Sequence, residues 1–271
     1  NNTIPDLPQI IVFYPFLILW FFINHVHSLI TKSIIIAIMV MLTISPWVIR
    51  NFSIHGQLTS IATNGGFNSW LGNNPFTTGV GWGVDEKAYR KYAGNRPVDD
   101  SLFEPTMPDI KLYPDAFKSA LKKKTIALLP RNIAEKISEL SEVEIDSLLF
   151  KAGLNCIVED PVAYLKRSLK KMFYLWIYRP SEGRRAFFAS KLNILYVSQY
   201  VFLTPLVFGG ILISLRQDWR RPLLLYLIMF FFTLLYINFF VQSRYRWHFE
   251  PYMIIVASSF CVFLWRKYRR S

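Results

Sequence analysis

The chain is predicted to be mainly α, with polytopic transmembrane helices and a large extracytoplasmic loop region containing amphipathic helices. Three observations lead there. Five apolar segments punctuate a sequence of 271 residues that is 52% hydrophobic and 17% aromatic. The segments at 192–213 and 223–241 contain no Lys, Arg, Asp or Glu, which a soluble core helix of that length rarely achieves. Short basic clusters then sit directly against the ends of the apolar runs, as they do where spans emerge on the cytoplasmic side.

Taken in order, residues 1–49 form two transmembrane helices, 50–191 an extracytoplasmic loop and helical region, and 192–271 three transmembrane helices with a basic cytoplasmic C-terminus. Asn1 to Gln9, with Pro5 and Pro8, is a short polar entry. The sequence starts without Met and lacks a basic region followed by a cleavage site, so the expectation is a downstream portion of a longer protein. The spans are placed at about 10–23, 33–48, 192–213, 223–241 and 252–265. A bilayer core needs about 20 helical residues, so the first and last must borrow flanking aromatics or lie in a thinner, tilted arrangement.

Arg216, Arg220 and Arg221 between spans three and four, and Arg266 to Arg270 after span five, fix the orientation: both clusters are expected inside. By alternation, the long segment beginning at Arg50 and the connection from Gln242 to Pro251 face outward. Asn51 to about Pro114 is rich in Gly, Pro, Asn and Asp and is expected to be irregular, and helix is expected from about Asp115. Residues 139–158 carry Leu140, Val143, Ile145, Leu148, Leu149 and Leu154 at helical spacing. Asp160 caps a further helix with Pro161 at its first position. There Val162, Leu165, Leu169, Met172, Phe173 and Trp176 share one face and Lys166, Arg167, Lys170 and Lys171 the other. A helix lying in the lipid headgroup layer and one packed on protein with a solvated basic face both fit that pattern.

A formal charge of +13 raises nucleic acid as a partner, but no nucleic-acid module is present and the basic residues border apolar spans; anionic headgroups or a phosphorylated lipid fit better. Two cysteines, Cys156 and Cys261, far apart in differing surroundings, support neither a disulfide framework nor a zinc site. Phosphate-loop, dinucleotide-fold and nucleophile-elbow patterns are absent, and Asp99-Asp100 reads as turn chemistry rather than a metal site. No metal is expected.

Two stretches carry the candidate chemistry. The first is Pro46-Trp47-Val48-Ile49-Arg50-Asn51, leading to Asn64, Asn68, Trp70, Asn73 and Asn74 in a Gly- and Asn-rich run. Glycine admits close backbone approach, asparagine donates and accepts, and tryptophan offers a flat face to a sugar ring or an anchor at the headgroups. The second is Gln242 to Tyr252, with Arg244, Arg246 and His248 at the end of an apolar run. Charge stranded there must meet an anion or snorkel to the interface, and guanidinium forks bind phosphate in bidentate fashion. Glu250, the sole acid on the outer side after Lys191, could orient Arg244 or Arg246 or pair with Arg50. His248 and His55 suit interfacial hydrogen bonding better than base catalysis.

The order Pro-Trp-x-x-Arg-Asn, Asn-Gly-Gly-x-Asn-x-Trp-x-Gly-Asn-Asn-Pro, Asp160-Pro161 and Arg-Tyr-Arg before the last span resembles polytopic glycosyltransferases of the GT-C type, relatives of dolichyl-phosphate-mannose protein mannosyltransferases. The resemblance covers nearly the whole chain. It implies a hexosyl or mannosyl transfer from a polyprenyl-phosphate-linked sugar to a glycan, lipid or protein acceptor at the outer face of a bacterial or archaeal plasma membrane, with no further cofactor. It also implies that Arg50, Arg244 and Arg246 grip the lipid phosphate, that Asn64, Asn68, Trp70, Asn73 and Asn74 line the sugar or acceptor side, and that the catalytic base lies upstream of Asn1. The alternatives are an O-antigen ligase or polymerase and a non-catalytic transport or assembly protein. An acidic pair in a first outer loop would favour the GT-C enzyme over the ligase or polymerase; polar, broken segments at mid-membrane depth would favour the transport or assembly protein.

Overall fold

The computed structural model describes residues 7–56, 65–79, 83–94, 126–136, 139–177 and 191–270. The described residues are mainly helical and contain no strand, only an isolated bridge between Thr77 and Val84. In order the helices are α1 (Leu7–Ile23), α2 (Leu29–His55), α3 (Gly65–Asn73), α4 (Glu86–Ala93), α5 (Arg131–Ala134), α6 (Glu142–Glu159), α7 (Pro161–Trp176), α8 (Lys191–Gln217), α9 (Leu223–Ile237), a 3₁₀ turn (Ser243–His248) and α10 (Glu250–Tyr268). They fall into two compact units: Asn1–Asn64, Pro205–Leu234 and His248–Ser271 make one, Gly65–Thr204 and Leu235–Trp247 the other.

Unit 1 holds much of the lipid-length helix. Within Leu29–Ile54 and Ser198–Gln217 the chain is long and apolar enough to cross a membrane, and Val12–Ile23 and Leu223–Ile237 are shorter apolar helices. The first of these long stretches is only 11% buried, unlike a soluble core helix. The expected span at 33–48 is therefore too short: Pro46 lies inside α2, and the helix runs on to a Gly56 cap in the left-handed region (φ 67°). Proline at 46 removes the N–H that would bond the Leu42 carbonyl, and the Ser45 hydroxyl replaces it at 3.0 Å, so the helix passes through. Conversely α9 ends at Ile237, four residues before the expected limit, with its last three residues already in unit 2. Inside unit 1 the Phe13 and Phe16 rings pack edge-on against Phe231 at 5.2 and 5.6 Å, and the Tyr14 hydroxyl bonds the Ser33 carbonyl at 2.5 Å.

Unit 2 has a water-soluble style of core: Trp70, Leu71, Phe76, Tyr89, Leu128 and Leu149 are among its buried residues. The expectation that residues 51–114 are irregular is corrected here, since α3 and α4 lie within them. Helix α3 forms despite three glycines because its ends are closed by side chains. The Asp146 carboxylate accepts from the Gly66 and Phe67 amides at 2.7 and 3.3 Å, and Asn73 and Asn74 donate to the Ser69 and Trp70 carbonyls, both at 3.0 Å. The glycines then let α3 lie against its neighbours. A Cβ on Gly66 would fall inside the Asp146 carbonyl, and one on Gly72 would stand 2.7 Å from the Phe239 carbonyl oxygen. Helix α6 opens on a reciprocal Ser141/Glu144 capping box, and α7 on the Asp160 cap with Pro161 behind it, close to the limits read from sequence.

Candidate functional site

The inner face of α7 organises the polar interior of unit 2. Its exposed side is apolar, with Val162, Leu165, Leu169, Met172 and Phe173 all outward. The exposed Lys166 and Lys170 flank that stripe, whereas Arg167, half-buried, and Ser168 and Lys171, buried, turn in. The basic residues expected on one face are thus split between two. A 3.6-residue period puts 164, 167, 168, 171 and 175 on the opposite side from 162, 165, 169 and 172.

Lys171 is 0% exposed. Its ammonium donates to Asn73 Oδ1 at 3.3 Å and to the Ile237 carbonyl at 3.0 Å, and its stem lies 3.1–3.7 Å from where a Cβ on Gly79 (φ +79°) would stand. Neither acceptor is an acid. Burial pulls the Lys171 pKa down from the ordinary lysine value to about 7, with the nearby Arg167 charge pushing the same way. Asn73, fully buried, also donates to the Asn238 carbonyl at 2.7 Å, and the Tyr164 hydroxyl donates to Asn238 Oδ1 at 2.6 Å. Two buried donors on this face, Arg167 Nε and Ser168 Oγ, have no hydrogen-bond partner among the described residues. The result is a buried amine held by neutral acceptors, whose charge burial disfavours.

The titration has a measurable sign. In the unfolded chain Lys171 keeps its proton up to the ordinary lysine range, whereas the folded chain releases it near 7, so the unfolded state binds more protons in between. Stability of unit 2 is therefore expected to rise as pH increases from about 7 toward the ordinary lysine range. Thermal unfolding at several pH values checks this; Lys171→Met should flatten the rise, and an unchanged slope in that variant would assign it elsewhere.

The arginine segment sits in the same unit. Arg246 is 1% exposed, donates from Nε to the Leu175 carbonyl at 2.6 Å and from Nη2 to the Tyr174 carbonyl at 2.5 Å, and stands 4.0 Å from the Tyr200 ring centroid. Its fork holds the C-terminal end of α7, where carbonyls lack helical partners. Arg244 belongs to the same 3₁₀ turn. Tyr245 stacks on Tyr236 at 4.4 Å, and Val241 donates its amide to the Gly79 carbonyl at 3.0 Å, tying the segment to the loop after α3.

The residues chosen from sequence thus separate. Trp70 is buried and donates its indole N–H to the Leu128 carbonyl at 2.6 Å; Asn74 bridges the Trp70 carbonyl and the Phe76 amide (3.1 Å). Trp70, Asn73, Asn74 and Arg246 spend their polar atoms on the fold. Asn68 is half-buried on α3. Arg50 lies in unit 1, exposed, 5.2 Å from the Trp47 ring centroid and donating to Asn51 at 3.4 Å. His248 rests against the Phe232 ring at 5.2 Å within unit 1. Asn64 and Asp99-Asp100 lie outside the described residues. Sequence reading missed Asp146, Tyr164 and the singular place of Lys171. Asp146 is half-buried, its pKa raised chiefly by burial while the Gly66 and Phe67 amides oppose the shift. Only the helical spacing of Tyr164, Arg167, Ser168 and Lys171 hinted at an inward polar stripe. Among the described residues no group of three or more His, Cys, Asp or Glu gathers as a metal site.

No protein-family model, curated protein or solved structure matches this chain.

Proposed function

We propose that the chain is a multi-pass integral membrane glycosyltransferase of the GT-C type, acting at the extracytoplasmic face on a polyprenyl-phosphate-linked sugar. The observation that carries this reading is Arg50: an exposed guanidinium 5.2 Å from the Trp47 ring centroid, on a helix long and apolar enough to cross a membrane. A guanidinium at the end of such a helix suits a phosphate-bearing lipid, and its permanent charge stabilises the phosphate as a leaving group during transfer. The ordered likeness of the Pro-Trp-x-x-Arg-Asn, asparagine-rich and Arg-Tyr-Arg stretches supplies the reaction class.

In this assignment Arg50 contacts the phosphate. The apolar stripe of α7, flanked by Lys166 and Lys170, lies in the headgroup layer.

Equilibrium binding to the full chain in nanodiscs tests the reading, with a polyprenyl-phosphate mannose, a neutral polyprenol of equal length and mannose phosphate as probes. The phosphosugar lipid is expected to bind well above the other two, and Arg50→Ala to weaken it by about tenfold, the loss of one charge-assisted phosphate contact. Equal binding of the neutral polyprenol would overturn the assignment. A response confined to pyrophosphate-linked glycans would move the chain to the ligase and polymerase class.

A further inference from the structure

A cavity of about 1010 Å³ within unit 1 is bounded by the C-terminal half of α8, the start of α9 and the C-terminal half of α10. It is far from the residues discussed above along α10: Arg266 is sixteen residues, or about 24 Å of helix, from Glu250. The two glycines of α8 set its floor. A Cβ on Gly209 would stand 2.6–2.9 Å from the Phe260 ring, and one on Gly210 would meet the Val256 carbonyl and stand 2.8 Å from Val256 Cγ1. The helices therefore touch backbone to side chain at that level, and the cavity opens beyond it.

Its walls and mouth differ in chemistry. Ile213, Leu225, Ile255, Val262 and Phe263 give apolar sides. The hydroxyls among them are already engaged: Ser214 and Tyr226 bond each other, Ser258 donates to the Ile254 carbonyl at 2.8 Å and Ser259 to the Val256 carbonyl at 2.7 Å. An apolar chain can lie against such walls without stranding a polar group. Four cations, Arg221, Arg266, Lys267 and Arg270, line the same cavity with one acid, Asp218, whose carboxylate is held by Arg221 at 2.8 Å. Beside the cavity, Arg220 and Arg269 lie over the Trp219 and Trp265 rings at 5.7 and 5.0 Å, the pairing of cation and tryptophan common where helices leave the hydrocarbon. The two basic clusters that set the orientation from sequence thus meet at one opening.

We propose that this cavity binds an anionic glycerophospholipid of the cytoplasmic leaflet, its phosphate held by Arg266, Lys267 and Arg270 and an acyl chain running along Ile213, Leu225 and Phe263. A basic mouth over apolar sides whose hydroxyls are already bonded matches a molecule that is anionic at one end and hydrocarbon at the other. Its occupant is a structural lipid, not a donor. The inference rests on the multi-pass reading alone, not on the transferase assignment.

Native mass spectrometry of the full chain, released from nanodiscs of mixed phosphatidylglycerol and phosphatidylcholine, tests it. The wild-type chain is expected to retain phosphatidylglycerol over phosphatidylcholine by at least about tenfold. Arg266→Gln/Lys267→Gln/Arg270→Gln should bring the ratio near parity. Arg216→Gln/Arg220→Gln, which removes two cations outside the lining, should leave it unchanged, and Leu225→Trp should lower occupancy by filling the apolar part. Equal retention of the two lipids by the wild-type chain, an equal fall in both double and triple variants, or displacement by millimolar inorganic phosphate would each overturn the proposal. So would displacement of phosphatidylglycerol by an equimolar polyprenyl phosphate, since that occupant would be a substrate. Loss of the lipid preference with phosphosugar-lipid binding intact would fail this proposal while leaving the transferase reading standing.

Discussion

Gly66→Ala is expected to disrupt unit 2 more than any other single-methyl change, lowering its stability by about 3 kcal/mol or more. The added Cβ would stand 2.6 Å from the Asp146 carbonyl carbon and 2.9 Å from Oδ1, with the carbonyl oxygen nearer still. Neither neighbour can step aside. The first is backbone of α6, and the second is the carboxylate that caps α3, so relief by separation also breaks the two amide bonds to Asp146. The adjacent Gly65 is the internal control: nothing stands within 4 Å of its Cβ position, so Gly65→Ala should be neutral or stabilise by roughly 0.5–1 kcal/mol, the ordinary helix gain. Thermal unfolding of the two variants side by side measures the difference. Equal midpoints would mean that α3 and α6 are not in backbone contact.

The second large effect is expected at Arg246. Arg246→Met keeps much of the stem volume but leaves the Leu175 and Tyr174 carbonyls short of their guanidinium donors inside the protein and removes the cation from the Tyr200 face. Two unmet carbonyls and one lost ring contact amount to about 3–6 kcal/mol. Arg246→Lys retains the charge but cannot serve two carbonyls from a rigid fork, so it should recover only part of the loss. If Arg246 instead served chiefly to hold a ligand phosphate, both variants would unfold like the wild-type chain and only donor binding would fall. That pattern would return Arg246 to the substrate-binding set.

Much of the helical organisation was legible in sequence because hydropathy and capping are local. Asp160-Pro161 marked the start of α7, and the uncharged runs after residue 191 located α8 and α9 to within a few residues. The end of α2 was not legible, since Pro46 breaks helices by default and its rescue depends on a single Ser45 hydroxyl. The asparagine-rich stretch misled for a related reason. Gly and Asn signal turns in general, but here Asp146, eighty residues away, closes the helix start, and Asn73 reaches Asn238 at its end. Trp70, Asn73, Asn74 and Arg246 have the side chains of a binding site, and composition does not distinguish a donor aimed at a ligand from one aimed at a carbonyl. Lys171 was hidden among four basic residues on one helix, and only its phase relative to Leu175 and Ser168 places it inward.

The strap formed by residues 235–247 also dictates when this protein can finish folding. It supplies the acceptors for Asn73 and Lys171 and the guanidinium that closes α7. Partners separated by 165 residues impose a large loop-closure cost before they return any stabilisation. The nascent chain must therefore carry an unfinished domain, with an ammonium still open to water, until this strap has followed the helices that it closes.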